Sequence, residues 1–322
     1  MSTTPIAFDG ILFFPVTPFA TNDTVDLELV EQHVATGLAH GAGGIFPSCG
    51  TGELHALSLA ESTAVVRATT AVVNGAVPVI AGTGGSIATA TAQAHAAEEA
   101  GADGLLVLPP YLVGGPIAGL VAYVEQVAAA SALPVIVYHR GNAQFSADAM
   151  ARLAQNPKVI GVKDGTGDVG VAQEIVLAVT AERSDFLFFN GLLTAELSQG
   201  AYRGIGIPLY SSAAFAMAPT VARGYYDAYV AHDEPVRLRF LREFYQPLVH
   251  LRDETPGFGV SLIKAGLRLS GLPVGSVRAP LIDPTPAQER VLARILEAGH
   301  RLVDELAVAV AQPVVRVAEP VR

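Results

Sequence analysis

Lys163 closes the apolar run Val159-Ile-Gly-Val162 and is followed at once by Asp164-Gly-Thr-Gly167. A lysine stem leaving such a run must be desolvated, paired or used. Desolvation penalises the ammonium form, and a neutral amine is a nucleophile that condenses with a ketone to give an imine. The same position also fits an ion pair with Asp164 or Glu53, or a stem that snorkels to a rim, and position alone does not separate these readings. Tyr138 ends the preceding apolar run. A phenol there can relay protons during imine formation or take the proton beside the iminium carbon; a core aromatic bonded to a backbone carbonyl is the alternative. Gly50-Thr-Gly-Glu53 supplies clustered backbone N–H groups and a hydroxyl, suited to holding a carboxylate without a full counter-charge. It equally suits a bare turn in which Glu53 orients the loop rather than reacting.

Further candidates surround these. Arg140, at the end of the fifth apolar run, is a candidate substrate contact, with a rim or interface role as the alternative. Asn190, Ser211 and Ser212, at or after the last strand ends, are further candidate substrate contacts, and Tyr111, in Leu108-Pro-Pro-Tyr111, is a substrate contact or a packing residue. Cys49 adjoins the Gly50 turn but has no histidine placed to make a thiolate pair, so it reads as a small buried filler. The eight histidines form no HxH or HxxxH pair, and no metal site is expected; His55 and His139 lie near the other candidates without a defined role.

What places these residues together is a repeating frame. Eight short apolar runs, at 11–16, 44–47, 77–81, 104–108, 135–138, 159–163, 186–190 and 204–208, alternate with Ala-rich helical stretches. Continuous apolar strands separated by helices imply a parallel sheet buried on both faces. Asp26, Ser58 with Glu61, and Ser146 read as helix N-caps, and Gly41, Gly75 and Gly101 as helix stops. After the last run only helices are expected, over 220–230, 235–251, 260–269 and 286–310. Eight strands favour a (β/α)8 TIM barrel over a doubly wound sheet, and Gly82-Thr-Gly-Gly85 lacks dinucleotide-fingerprint spacing. The expected division is a barrel over 1–230, a C-terminal helical extension over 231–311 and a loosely ordered tail over 312–322. In such a barrel active sites lie at the C-terminal ends of the strands, which is where all the candidates above fall.

Bulk composition narrows the partners. A formal charge of -10 with no Lys/Arg run argues against nucleic acid. The single cysteine excludes an intrachain disulfide and suits a reducing compartment; with no signal-like or membrane-length apolar segment, a cytoplasmic protein that contacts no membrane is expected. Hydrophobic residues at 51% against 16% charged suit a large core and burial between copies, hence a homo-oligomer.

Several segments together resemble the dihydrodipicolinate synthase and N-acetylneuraminate lyase superfamily of class I aldolases and dehydratases: Pro15-Val-Thr-Pro-Phe19, Gly50-Thr-Gly-Glu53, Leu108-Pro-Pro-Tyr111, Val137-Tyr138 and Gly161-Val-Lys-Asp-Gly-Thr-Gly167. The resemblance runs from Gly10 to about Pro284. It implies that Lys163 is the Schiff-base lysine, Tyr138 its proton relay and the Gly50 and Thr51 backbone the seat of a 2-oxo acid carboxylate. It implies no metal or organic cofactor and a dimer or tetramer. Within the superfamily the chain is most similar to decarboxylating dehydratases of 2-oxo sugar diacids, through Leu108-Pro-Pro-Tyr-Leu112, Tyr210-Ser-Ser-Ala213, Ile263-Lys-Ala-Gly-Leu-Arg268 and Val277-Arg-Ala-Pro-Leu281. Dihydrodipicolinate synthases usually carry a second threonine at the position of Gly50 and a second tyrosine at Leu112, and sialic-acid lyases usually place acids where Leu192 and Leu193 stand here. His139, His55 and Gly206-Ile-Pro-Leu209 depart from the dehydratase pattern. A pyruvate-dependent aldolase of a related 2-keto-3-deoxy sugar acid and a non-catalytic 2-oxo-acid sensor are the alternatives.

Overall fold

The computed structural model describes residues 6–110 and 113–311. Strands and helices alternate as β1 (Ile11–Phe13), α1 (Leu27–Ala39), β2 (Ala42–Ile45), α2 (Leu59–Val73), β3 (Ile80–Thr83), α3 (Ile87–Glu99), β4 (Gly104–Val107) and α4 (Ile117–Ala129). They continue as β5 (Val135–His139), α5 (Ala147–Ala154), β6 (Val159–Asp164), α6 (Val169–Thr180), β7 (Leu187–Asn190), α7 (Gln199–Gly204), β8 (Leu209–Ser212) and α8 (Pro219–Val230). The strands are all parallel, in the order β2-β1-β8-β7-β6-β5-β4-β3, and a bridge between Ile45 and Val79 closes the ring. This is a (β/α)8 TIM barrel.

Local chemistry sets the boundaries. Asp26 accepts from Leu29 N at the start of α1, Ser58 and Glu61 form a reciprocal capping box on α2, and Ser146 accepts from Ala149 N on α5. At the end of α2 the chain turns through Asn74 at φ 45° and Gly75 at φ 76°, where a glycine carries no steric penalty. The eighth strand is a correction to the sequence reading: 204–208 is the return from α7, and the strand lies at Leu209–Ser212, one step further along.

Side chains of the strands alternate between two environments, as a period of two requires. Leu12, Phe14, Phe46, Ile80, Leu106, Ile136, Tyr138 and Phe189 fill the barrel interior, while Val137, Val162 and Phe188 face the helix layer. In β6 this alternation is broken once. Val135 pairs with Val159 but Ile136 pairs with Gly161, so Ile160 is an extra residue. Ile160 packs with the interior cluster, and a Cβ on Gly161 would also point inward, 3.0 Å from the interior ring of Phe189. The bulge therefore shifts the phase of the strand and brings Lys163, rather than Val162 or Asp164, to the inner face opposite Tyr138.

Beyond α8 come α9 (Glu234–Phe240), α10 (Gln246–Asp253), α11 (Phe258–Leu269) and α12 (Pro286–Ala311). The single helix expected over 235–251 is divided by a π turn at Leu241–Tyr245, which ends two residues before Pro247, whose missing N–H interrupts the regular ladder. Leu248, Leu262, Leu292 and Ile295 share one core with Phe215 and Tyr225 of the barrel. Among the described residues no helix is long and apolar enough to cross a membrane. The expected tail, 312–322, lies outside the described residues.

Candidate active site

A cavity of about 440 Å³ opens at the C-terminal ends of the strands. Lys163 forms its floor from β6, with Tyr138 as its register partner on β5. The Lys163 Nζ sits 3.9 Å from the centroid of the Tyr138 ring, 5.1 Å from that of Phe14, and donates to the Gly191 carbonyl at 3.3 Å. The residue is 5% exposed, and no carboxylate pairs with it among the described residues. Both ion pairs considered from the sequence are ruled out by partners elsewhere. Glu53 lies against Lys264, and Asp164, on the outward phase of β6, accepts from Thr166 and from the Tyr202 hydroxyl. Burial holds the amine below the ordinary lysine range; Tyr138 opposes this and Arg140 adds to it.

The Tyr138 hydroxyl donates to Gly191 O at 2.8 Å and accepts from Arg140 Nη1 at 2.8 Å. Burial alone would push this phenol up, but Lys163 and then Arg140 more than offset it, and the net direction is down. Arg140 lines the cavity and has no carboxylate partner among the described residues. Gly50 and Thr51 line the opposite side, and among the described residues no backbone carbonyl engages their amides. His55 and Ser211 also face the cavity. Apolar walls come from Leu106, Leu108, Leu192 and Leu193, and α11 closes the mouth with Gly259 and Val260.

Two expected substrate contacts do not reach this space. Asn190 is fully buried, its Nδ2 spent on Ala195 O, Ser198 Oγ and Gln199 Oε1, and its Oδ1 on Leu192 N. Ser212 donates to Glu196 and caps Phe215 N. Both stand at strand ends, but on the outward phase, one residue off the inward-facing Phe189 and Ser211. Tyr111 lies outside the described residues. Cys49 is buried, and burial pushes its thiol up to about 12, against a smaller lowering by Lys163, so it is no nucleophile at neutral pH. His139 faces the helix layer, accepting from Phe145 N. Sequence reasoning missed the contribution of α11; its signal was Lys264, a lone charge inside the run 260–267.

A closed barrel with a buried amine in a cavity at its strand ends has the form of a class I lyase. The chain belongs to the dihydrodipicolinate synthetase family, whose model matches residues 7–299. It is 49% identical over 302 residues to the probable 5-dehydro-4-deoxyglucarate dehydratase of Streptomyces griseus, covering 93% of this chain and 94% of that one. A relative of the same name, numbered 1, from Streptomyces coelicolor is 46% identical over 95% of this chain and 99% of its own. Among solved structures, dihydrodipicolinate synthase from Oceanobacillus iheyensis superposes with a TM-score of 0.84 at 26% identity, covering 91% of this chain and 97% of that one.

Proposed function

We propose that the chain, assembled as a cytoplasmic homo-oligomer, is a decarboxylating dehydratase that converts 5-dehydro-4-deoxy-D-glucarate to 2,5-dioxopentanoate, CO2 and water through a Schiff base on Lys163. The observation that carries the chemistry is the carboxylate-free, buried Lys163 amine beside Tyr138, across the cavity from the Gly50 and Thr51 amides. The substrate is supported by the names of the Streptomyces relatives.

In this reading the Gly50 and Thr51 amides hold the carboxylate next to the ketone, and Lys163 attacks the ketone carbon. Loss of water gives an iminium, which acidifies the neighbouring CH2. Tyr138, its hydroxyl tied to Arg140, shuttles protons during imine formation and removes one of these. The resulting enamine expels the β-hydroxyl as water and leaves a conjugated iminium. The distal carboxylate, held by Arg140, sits on the carbon next to the far end of that conjugation, so its departure as CO2 returns the electron pair to the same nitrogen. Protonation and hydrolysis release the product and the free amine. The imine supplies the electron sink for both bond cleavages, so no metal or organic cofactor enters the scheme. Ser211 is left as a hydroxyl partner, with Asn190 and Ser212 acting behind the strands instead.

Incubation with 5-dehydro-4-deoxyglucarate tests this: CO2 is the expected product, and pyruvate in its place would make the chain an aldolase. Borohydride with a 2-oxo acid should leave an adduct on Lys163 by mass spectrometry, and its absence would favour a sensor. Lys163→Ala should fold and lose turnover by roughly a thousandfold or more.

A further inference from the structure

Glu53 and Lys264 are both completely buried, with Glu53 Oε1 2.6 Å from Lys264 Nζ. Neither belongs to the imine chemistry. Removing two charges from water is costly, and apolar residues of similar volume would fill the space as well, so what the pair does geometrically is the question. Glu53 ends the Gly50 turn in the left-handed region, at φ 57°, a conformation that a residue with a side chain seldom adopts without being held. It is held from both sides. Lys264 takes one carboxylate oxygen, and the backbone amide of Arg278 donates to the other at 2.9 Å. Lys264 is itself fixed, donating to Ser276 O at 2.9 Å and lying 3.9 Å over the Phe19 ring.

The rest of the turn is pinned in the same way. Thr17 donates to Gly52 O at 2.7 Å, and the Arg278 guanidinium donates to Ala56 O at 2.9 Å. Within Gly50–Glu53, Gly50 and Thr51 face the cavity. Lys264 and Arg278 both come from the chain beyond the barrel, and α11, which carries Lys264, also walls the cavity with Gly259 and Val260.

We infer that Glu53 and Lys264 are positioning residues: through their ion pair the C-terminal helices set the geometry of the Gly50 and Thr51 amides that hold the carboxylate next to the reacting ketone. This rests on the Schiff-base reading, and it assigns a task to the Lys264 and Arg278 segments that the mechanism leaves unused.

The test compares two carbonyl probes on one amine. Pyruvate carries the carboxylate; acetaldehyde does not. Each is trapped with borohydride, and the adduct on Lys163 is followed by peptide mass spectrometry. Glu53→Gln with Lys264→Met removes both charges at once, so that neither is stranded, and Lys264→Arg keeps the charge with altered donor geometry. For both variants the expected result is a selective loss of pyruvate trapping, up to about a hundredfold in the double variant and smaller in Lys264→Arg, with acetaldehyde trapping retained. Equal loss with both probes, or pyruvate trapping at the wild-type rate, overturns the assignment. Failure of wild-type protein to trap pyruvate at Lys163 instead refutes the Schiff-base reading on which it stands.

Discussion

Arg140 touches the Tyr138 hydroxyl and also faces the cavity, and the two contacts can be separated. Its guanidinium donates to the Tyr138 hydroxyl and lies close enough to Lys163 to push the amine further down, after burial has done most of it. It also faces the cavity without a carboxylate of its own among the described residues. Arg140→Met removes a cation that disfavours the ammonium form, so the folded pKa of Lys163 rises and a smaller fraction of amine is neutral at a given pH. The pH midpoint of pyruvate trapping should therefore move upward, while the plateau at high pH stays near wild type. With the diacid substrate the same variant should also raise KM by about tenfold or more, the cost of a charge-assisted bond to a carboxylate. A raised midpoint without the KM effect would leave Arg140 as an electrostatic neighbour and take the distal carboxylate from it. The pyruvate probe isolates the first effect, since it has no second carboxylate to lose.

Strand phase decides which residues of the barrel mouth face the cavity, and here the sequence was legible only in part. Lys163, Tyr138 and the Gly50 turn could be picked out because each closes or follows a buried apolar run, and a barrel places such positions at its open end. That filter is blind to the side of the strand. Asn190 and Ser212 pass it as well as Phe189 and Ser211 do, yet they point into the helix layer, and nothing in a four-residue run of mixed types reveals the phase. The bulge at Ile160 was hidden for the same reason: Val159 to Val162 is apolar throughout, so an extra residue leaves no break in the pattern. The last strand was misplaced because Gly204-Ile-Gly-Ile-Pro208 is as apolar as Leu209-Tyr-Ser-Ser212. Phase also gives a test. Gly191, at the end of β7, has no room for a side chain: an added Cβ would stand 2.6 Å from Lys163 Cγ, 2.7 Å from its Nζ and 2.8 Å from Asp164 O. Gly191→Ala must therefore displace the lysine stem or the backbone that carries the shared acceptor of Lys163 and Tyr138. The expected outcome is a protein that melts cooperatively but forms the imine about a hundredfold more slowly, read as the rate of adduct formation with pyruvate. Wild-type rates in that variant would mean that the amine is not fixed where the strand puts it.

At the scale of the whole chain the barrel and the C-terminal helices are joined behind β8, and the joint contains a titratable group. Glu196 is fully buried in the short turn between β7 and α7; it accepts from Ser212 of β8, while its backbone carbonyl accepts from Tyr225 of α8 at 2.8 Å. Tyr210 and Tyr245 pack around the same carboxyl, and burial pushes all three phenols well up, so they bring no charge to it. Burial likewise raises the Glu196 carboxyl to about 7, against smaller lowering by its hydrogen bonds. An acid held above its ordinary value of 4.5 favours the folded state only while it stays protonated there. Its contribution is complete below about pH 4.5, where both states are protonated, and is lost as pH rises through about 7. Glu196→Gln keeps the shape and removes the titration. Relative to wild type, the variant should be little changed in denaturant midpoint at pH 5 and more stable at pH 8, by at most about 3 kcal/mol. Equal midpoint differences at the two pH values would show that this joint carries no proton linkage. Because Ser212 and Ser211 are adjacent on β8 and only Ser211 faces the cavity, the same variant should leave pyruvate trapping at Lys163 unchanged, which separates the stability of the joint from the chemistry on the far side of the strand.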